Sequence, residues 1–266
     1  MSQTTNAPTG KPRKAVRTTA TVTAVRHLTP HMIRVTLGGE SLTTVDPTSQ
    51  TDRYIKLVMA ESPEPEGRPV LRTYTIRNVA ESSWDIDVVT HGSVGYGGPW
   101  AQRVQPGEEV SFVGPGGDYA PSPDAPWHLL AGDESALPAI AAACEALPDG
   151  AVAHVFIEVA DASEEQEIAS AADLHLTWVH RSTGASLADV VQAAELPDGV
   201  PHTFLHGEAG CVRDLRRWAR GTLGVPRELL SASGYWRLGR DDERWRAEKA
   251  DWRASVEQDD LVLSAH

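Results

Sequence analysis

The sequence predicts two domains of different class: an N-terminal six-stranded antiparallel β-barrel and a C-terminal open parallel-sheet α/β domain. Three observations predict this. Residues 15–113 fall into short β-branched runs separated by turn residues, whereas from Trp127 onward apolar strand-like runs alternate with helical ones. Between them PGGDYAPSPDAPW, at 115–127, concentrates Pro and Gly and marks a boundary. A length of 266 residues also exceeds the usual size of one domain.

The first strands are AVRTTATVTAV, MIRVTLGG and YIKLVM, followed by LRTYTIR, WDIDVVTHG and EEVSFVG. Several alternate apolar and polar side chains, and six short strands at this spacing suit a closed barrel. The helical exception is GPWAQRV at 98–104, where Pro99 can stand in a first helical turn without losing a needed donor. In the second half, WHLLAGD, AVAHVFIEVA, LHLTWVH, HTFLHGE and LLSASGYW read as strands. ESALPAIAAACEAL, ASLADVVQAAEL and CVRDLRRWARGTL read as the helices between them, the pattern of a parallel sheet. A last helix carries Trp245, Lys249, Trp252 and Val256 on one face. The expected divisions are a disordered tail at 1–14, a barrel domain at 15–118, an α/β domain at 126–239 and a terminal helix at 240–258 near the active site.

Composition excludes several classes of function. The formal charge of -13 leaves no cation excess for nucleic-acid binding, although a local basic pocket remains compatible with it. The polar start, MSQTTNAPTGKPRK, lacks the apolar stretch of a secretory signal, and no run approaches a membrane span, so a cytoplasmic protein is expected. Cys144 and Cys211 stand far apart with no CxxC spacing, which argues against a zinc or iron-sulfur site. Any redox cofactor is therefore organic or arrives with the substrate.

The sharpest local signal is RTYTIR. Alternation places Arg72, Tyr74 and Ile76 on one face and Thr73, Thr75 and Arg77 on the other. An arginine fork suits a diphosphate and a nearby aromatic ring suits a flat heterocycle, as in a flavin dinucleotide, although a plain strand with a solvated Arg fits equally. His91 and Gly92 end the next strand, and Gly97 and Gly98 precede a helix start whose amides favour phosphate. In LLAGDESALPAI, Asp133, Glu134 and Ser135 occupy a strand-to-helix turn at the dinucleotide end of a parallel sheet, where Asp133 or Ser135 would also serve as an ordinary helix cap. Glu208 in HGE has the same two readings.

Taken in order, RTYTIR, VVTHG with GGPWA, PGEEVSFVGPGG, LLAGDESALPAI, HGE with VRDLRRWAR, and GYWRLG resemble the siderophore-interacting proteins among the ferredoxin-reductase-like flavoenzymes. The resemblance implies an FAD-binding barrel, an NAD(P)H-binding α/β domain and the flavin between them. It implies that Arg72, Tyr74 and Thr75 hold the flavin and diphosphate. Val89, His91 and the turn of Gly98, Pro99, Trp100 and Ala101 hold the rest of FAD. Asp133, Glu134, Ser135 and Trp236 lie near the nicotinamide and flavin. Lys56, at a position where similar proteins carry lysine, joins Arg237 and Lys249 in a basic pocket for an anionic ferric siderophore; for Lys249, a lysine covering apolar surface with its stem is the competing reading. One departure is Tyr96-Gly97-Gly98-Pro99, where similar proteins usually carry a small hydroxyl residue; phosphate contacts there rely more on backbone amides.

The implied activity is FAD-dependent reduction of Fe(III) to Fe(II) by NADH, NADPH or a ferredoxin, in a monomer, with no catalytic acid or base named. A flavin reductase or electron-transfer partner is a second reading, and a siderophore-binding module without turnover a third. The coenzyme stays open, because Glu158 would receive a ribose hydroxyl whereas Arg181 would receive a 2′-phosphate.

Overall fold

A computed structural model describes residues 16–64, 67–93 and 95–263; the expected tail at 1–14 lies outside them. The first domain comprises β1 (Arg17–Thr29), β2 (Met32–Gly38), the short α1 (Glu40–Thr43), β3 (Tyr54–Ala60), β4 (Val70–Ala80), β5 (Ser83–Val89), α2 (Gly97–Arg103) and β6 (Glu109–Gly116). The strands close in the order β1-β2-β5-β4-β3-β6, every neighbouring pair antiparallel. Closure leaves no unpaired edge. The inward side chains of the alternating runs, among them Val22, Val35, Leu57, Ile76, Trp84, Ile86 and Phe112, form the barrel core. Trp84 and Phe112 meet at a centroid distance of 5.7 Å.

The second domain comprises β7 (His128–Asp133), α3 (Leu137–Ala146), β8 (Val152–Val159), β9 (Asp173–His180), α4 (Leu187–Ala193), β10 (His202–Glu208), α5 (Ala209–Gly221) and β11 (Leu230–Trp236). Its five strands are parallel in the order β11-β10-β7-β8-β9. Every residue of β7 is buried, as a central strand covered on both faces requires. Because the chain passes outward from β7 in both directions, the strand order reverses beside it, and the crevice at that reversal is where parallel sheets bind ligands.

The terminal helix α6 (Asp242–Leu263) lays Trp245, Trp252 and Val256 against Ala209 and Val212 of α5. Its indoles donate to Tyr235 O and Ala209 O, each at 3.0 Å. Arg213 and Arg216 of α5 pair with Asp259 and Asp260 at its far end. The helix is thus seated on the second domain by aromatic packing and ion pairs together.

Side-chain bonds at Arg77 and at Glu164 are among those that join the barrel to the second domain. Arg77 on β4 forks onto Glu145 of α3, and Glu164, buried beyond β8, accepts from the hydroxyl of Thr29 and the ring and amide of His31. Glu164→Ala removes the acceptor for all three and leaves Thr29 without its partner in a buried joint. The expected cost is about 2 kcal/mol, read from the midpoint of urea unfolding.

Candidate flavin and substrate site at the domain seam

In β4, Arg72, Tyr74 and Thr75 stand opposite Leu57, Ile55 and Tyr54 of β3. Cross-strand partners share a face, so Arg72 and Tyr74 lie on the inner face with Leu57 and Ile55 of the barrel core, whereas Thr75 lies on the outer face with Tyr54 and Lys56. Tyr74 packs against the barrel core, and its hydroxyl lies where a Cβ on Gly97 would be, 1.7 Å from it. Gly97, the first residue of α2, is therefore fixed by this ring. Burial pushes the Tyr74 hydroxyl well above the usual phenol range, so it stays protonated.

The Arg72 guanidinium is held by Asp242 at 2.8 Å and Glu243 at 3.0 Å from the start of α6, beneath the ring of Tyr96 at 5.2 Å. No side chain caps α2, so its first amides at Gly97 and Gly98 are unclaimed beside that arginine. Trp100 and Arg103 of α2 join Tyr96 in walling a groove of about 370 Å³ that reaches across to β3 and β6. Pro99 and Trp100 are half-buried and Ala101 buried, while Val89 ends β5 and His91 is exposed just beyond it. Desolvation lowers the His91 pKa, with Glu134 and Arg181 of the second domain acting on it in opposite directions.

On the opposite side of the seam, Asp133 closes β7. It does not cap α3, whose N-cap position is Ala136 without a side-chain bond. Instead its carboxylate accepts from the amide and hydroxyl of Ser135, the amide of Glu208 at 2.8 Å and the indole of Trp236 at 2.7 Å. Desolvation pushes its pKa up to about 6 against these bonds. Trp236 is thereby pinned by its nitrogen with its ring partly exposed, 36%. Glu208 does cap α5, accepting from Cys211 N, and its other oxygen takes the amide of Leu238, which fixes the segment carrying Arg237. The Arg237 guanidinium is half-exposed and has no carboxylate partner.

Lys249 rides over the Trp245 ring at 5.9 Å, and Lys56 over Tyr54 at 5.5 Å. Among the described residues neither forms a salt bridge, whereas Arg72, Arg77, Arg181, Arg213 and Arg216 are all ion-paired. Burial first, then Arg253, Arg246 and Lys56, lower Lys249 to about 8 against the opposing charge of Asp242. Neighbouring His206 bonds Tyr235 and Ser231 at 2.9 Å each and is lowered by burial to about 3, so it remains neutral.

With both halves of the seam described, the decisive likeness is to a Vibrio cholerae protein, ferric vibriobactin reductase ViuB, 31% identical over 84% of this chain and 90% of that one. This chain belongs to the siderophore-interacting protein family. Residues 21–119 match the family's siderophore-interacting FAD-binding domain and residues 125–239 its siderophore-interacting protein domain. The uncharacterized protein Rv2895c of Mycobacterium tuberculosis is 41% identical over 88% of this chain and 96% of its own length. Among solved structures, the siderophore-interacting protein SipS from Aeromonas hydrophila superposes with a TM-score of 0.79 at 29% identity, covering 89% of this chain and 98% of SipS. As a member of this family the chain carries a siderophore-interacting FAD-binding domain in its barrel half.

One feature of this family member's seam was left open by sequence reasoning. Arg181, just past β9, forks onto Glu134 and also bonds Glu158 at the end of β8, at 3.1 Å. The three residues lie far apart in the chain, and only the parallel register of β7, β8 and β9 brings them side by side.

Proposed function

We propose that this protein is an FAD-dependent NAD(P)H oxidoreductase that reduces the ferric ion of a bound siderophore and releases it as Fe(II). The observation that carries the reading is the pair Lys56 and Lys249, two ammonium groups that form no salt bridge among the described residues and lie within electrostatic reach of each other across the seam of an acidic protein. Asp242 offsets part of the repulsion that Arg253, Arg246 and Lys56 exert on Lys249, and an anionic ligand of hard oxygen donors would offset the rest. Arg237, next in the chain to Trp236, is half-exposed and forms no salt bridge among the described residues.

The residues present fit FAD. Arg72 and the uncapped amides of Gly97 and Gly98 would hold the diphosphate. Tyr74, Val89, His91, Pro99, Trp100 and Ala101 would line the remainder, with Thr75 on the outer face of β4. Bound FAD would supply the conversion of a two-electron donor into single-electron delivery. The chain itself orients and excludes. Asp133 holds Trp236 and, with Glu134 and Ser135, shapes the mouth of the crevice at the end of β7. Lys56, Arg237 and Lys249 attract the chelate. Iron that has gained one electron carries less charge and is held more weakly by oxygen donors, so it leaves without acid or base catalysis.

The test is anaerobic turnover of the FAD-loaded protein with NADH or NADPH and a ferric siderophore, with a ferrous-specific chelator present. Formation of Fe(II) at a rate above that of cytochrome or free-flavin reduction is expected; the reverse order would count for a general reductase instead.

A pH dependence follows from Lys249. The ammonium exists below about 8 and is lost above it, so affinity for an anionic chelate is expected to fall as pH rises from about 7 to about 9.5. Lys249→Arg, charged throughout, should flatten the curve. Fluorescence titration of chelate binding across this range checks both.

A further inference from the structure

We infer that Arg181, clamped between Glu134 and Glu158, makes the coenzyme crevice select NADH and reject NADPH. This rests on the nicotinamide-donor reading above and deepens it.

In an open parallel sheet the adenosine ribose lies beyond the strand ends. There an acidic side chain accepts the 2′-hydroxyl of NADH, or an arginine accepts the 2′-phosphate of NADPH. This chain carries both residue types, and the geometry decides between them. Glu158 ends β8 directly beside Asp133 of β7. One of its oxygens takes the amide of Leu187 at the start of α4 at 3.2 Å, and the other takes Nη1 of Arg181 at 3.1 Å. Glu134, largely buried, takes Nη1 of the same arginine at 2.9 Å and its Nη2 as well. Both terminal nitrogens of Arg181 are therefore committed to carboxylates.

The cluster holds two negative charges against one positive. A 2′-phosphate brought to Arg181 adds a dianion beside both carboxylates, and any route that frees the guanidinium strands Glu134 in a buried site without its counter-ion. A 2′-hydroxyl meets none of this. It is neutral, it can donate to Glu158, and that carboxylate is already oriented by Leu187 and Arg181. The repulsive element is built in, which is how discrimination between two otherwise identical ligands is achieved.

Isothermal titration of the FAD-loaded protein with NAD⁺ and with NADP⁺ tests the inference without reference to turnover. NAD⁺ is expected to bind at least about tenfold more tightly. Adenosine 5′-monophosphate and adenosine 2′,5′-bisphosphate should show the same order, which places the discrimination at the ribose. Glu158→Gln keeps the shape and removes one charge, so it should shrink the NAD⁺ advantage severalfold. NADP⁺ binding to the native protein as tightly as NAD⁺ would overturn the specificity assignment and leave the donor reading standing. Binding of neither dinucleotide would overturn the donor reading itself and the inference with it. The native-protein comparison needs no variant, so misfolding of Glu158→Gln cannot obscure the result.

Discussion

An Arg72→Ala variant is expected to purify with little flavin and to bind added FAD about 30- to 100-fold more weakly than the native protein. Tyr96 covers the Arg72 guanidinium beside the uncapped start of α2, and charge-assisted bonds of this kind are worth about 2 to 3 kcal/mol. Its removal has a second effect. Asp242 would keep only Arg246 as a partner, and Glu243, which Arg72 now neutralises, would face the diphosphate as a bare carboxylate. Adding Asp242→Asn and Glu243→Gln to the Arg72→Ala background should therefore recover part of the lost affinity. Arg72→Lys should recover charge but not the fork. The ratio of flavin to protein absorbance in purified samples, and fluorescence titration of the apoprotein with FAD, measure these differences. Unchanged affinity in Arg72→Ala would remove the diphosphate role from this side chain.

Gly207→Ala is expected to destabilise the protein by about 3 kcal/mol. Gly207 lies in β10 at φ 133°, a conformation that residues with a Cβ rarely adopt. The added Cβ would also lie 2.6 Å from an oxygen of Asp133, with the rest of that carboxylate within 2.9 Å. Asp133 cannot simply swing aside, because it is bonded to Ser135, Glu208 and Trp236. Strain and collision act together, each worth about 1 to 3 kcal/mol. Chemical denaturation should show a lowered midpoint, and displacement of Asp133 should release the Trp236 indole and alter intrinsic fluorescence. A midpoint within about 0.5 kcal/mol of the native value would mean that the strand shifts freely, contrary to its place beside β7.

Much of the fold was legible because it is written in short-range periodicity. Strand runs such as WDIDVV alternate inward and outward, and the structure closes those of the first half into the barrel. The unbroken apolar strand HLLAG announces a central parallel strand, and the spacing of Trp245, Trp252 and Val256 announces the buried face of α6. The alternation in RTYTIR also separated Arg72 and Tyr74 from Thr75 correctly, with the two groups on opposite faces of β4. By itself, then, the sequence determined the two domain classes and the barrel strand that presents the arginine and tyrosine, since each depends on residues within a few positions of one another.

The partners of those residues were decided only by tertiary structure. Asp133 read equally well as a helix cap, and it became the acceptor for Trp236 and Glu208 because β10 and β11 lie on one side of β7. No sequence pattern singled out Asp242 and Glu243; they meet Arg72 because the first turn of α6, seated on the second domain, abuts β4 of the barrel. Glu158 and Arg181 pointed to opposite coenzymes until the register of β8 and β9 put them in contact with each other and with Glu134. Each of these contacts joins residues distant in the chain. No periodicity encodes such meetings; strand order and domain packing do, and they set the charge balance of the seam.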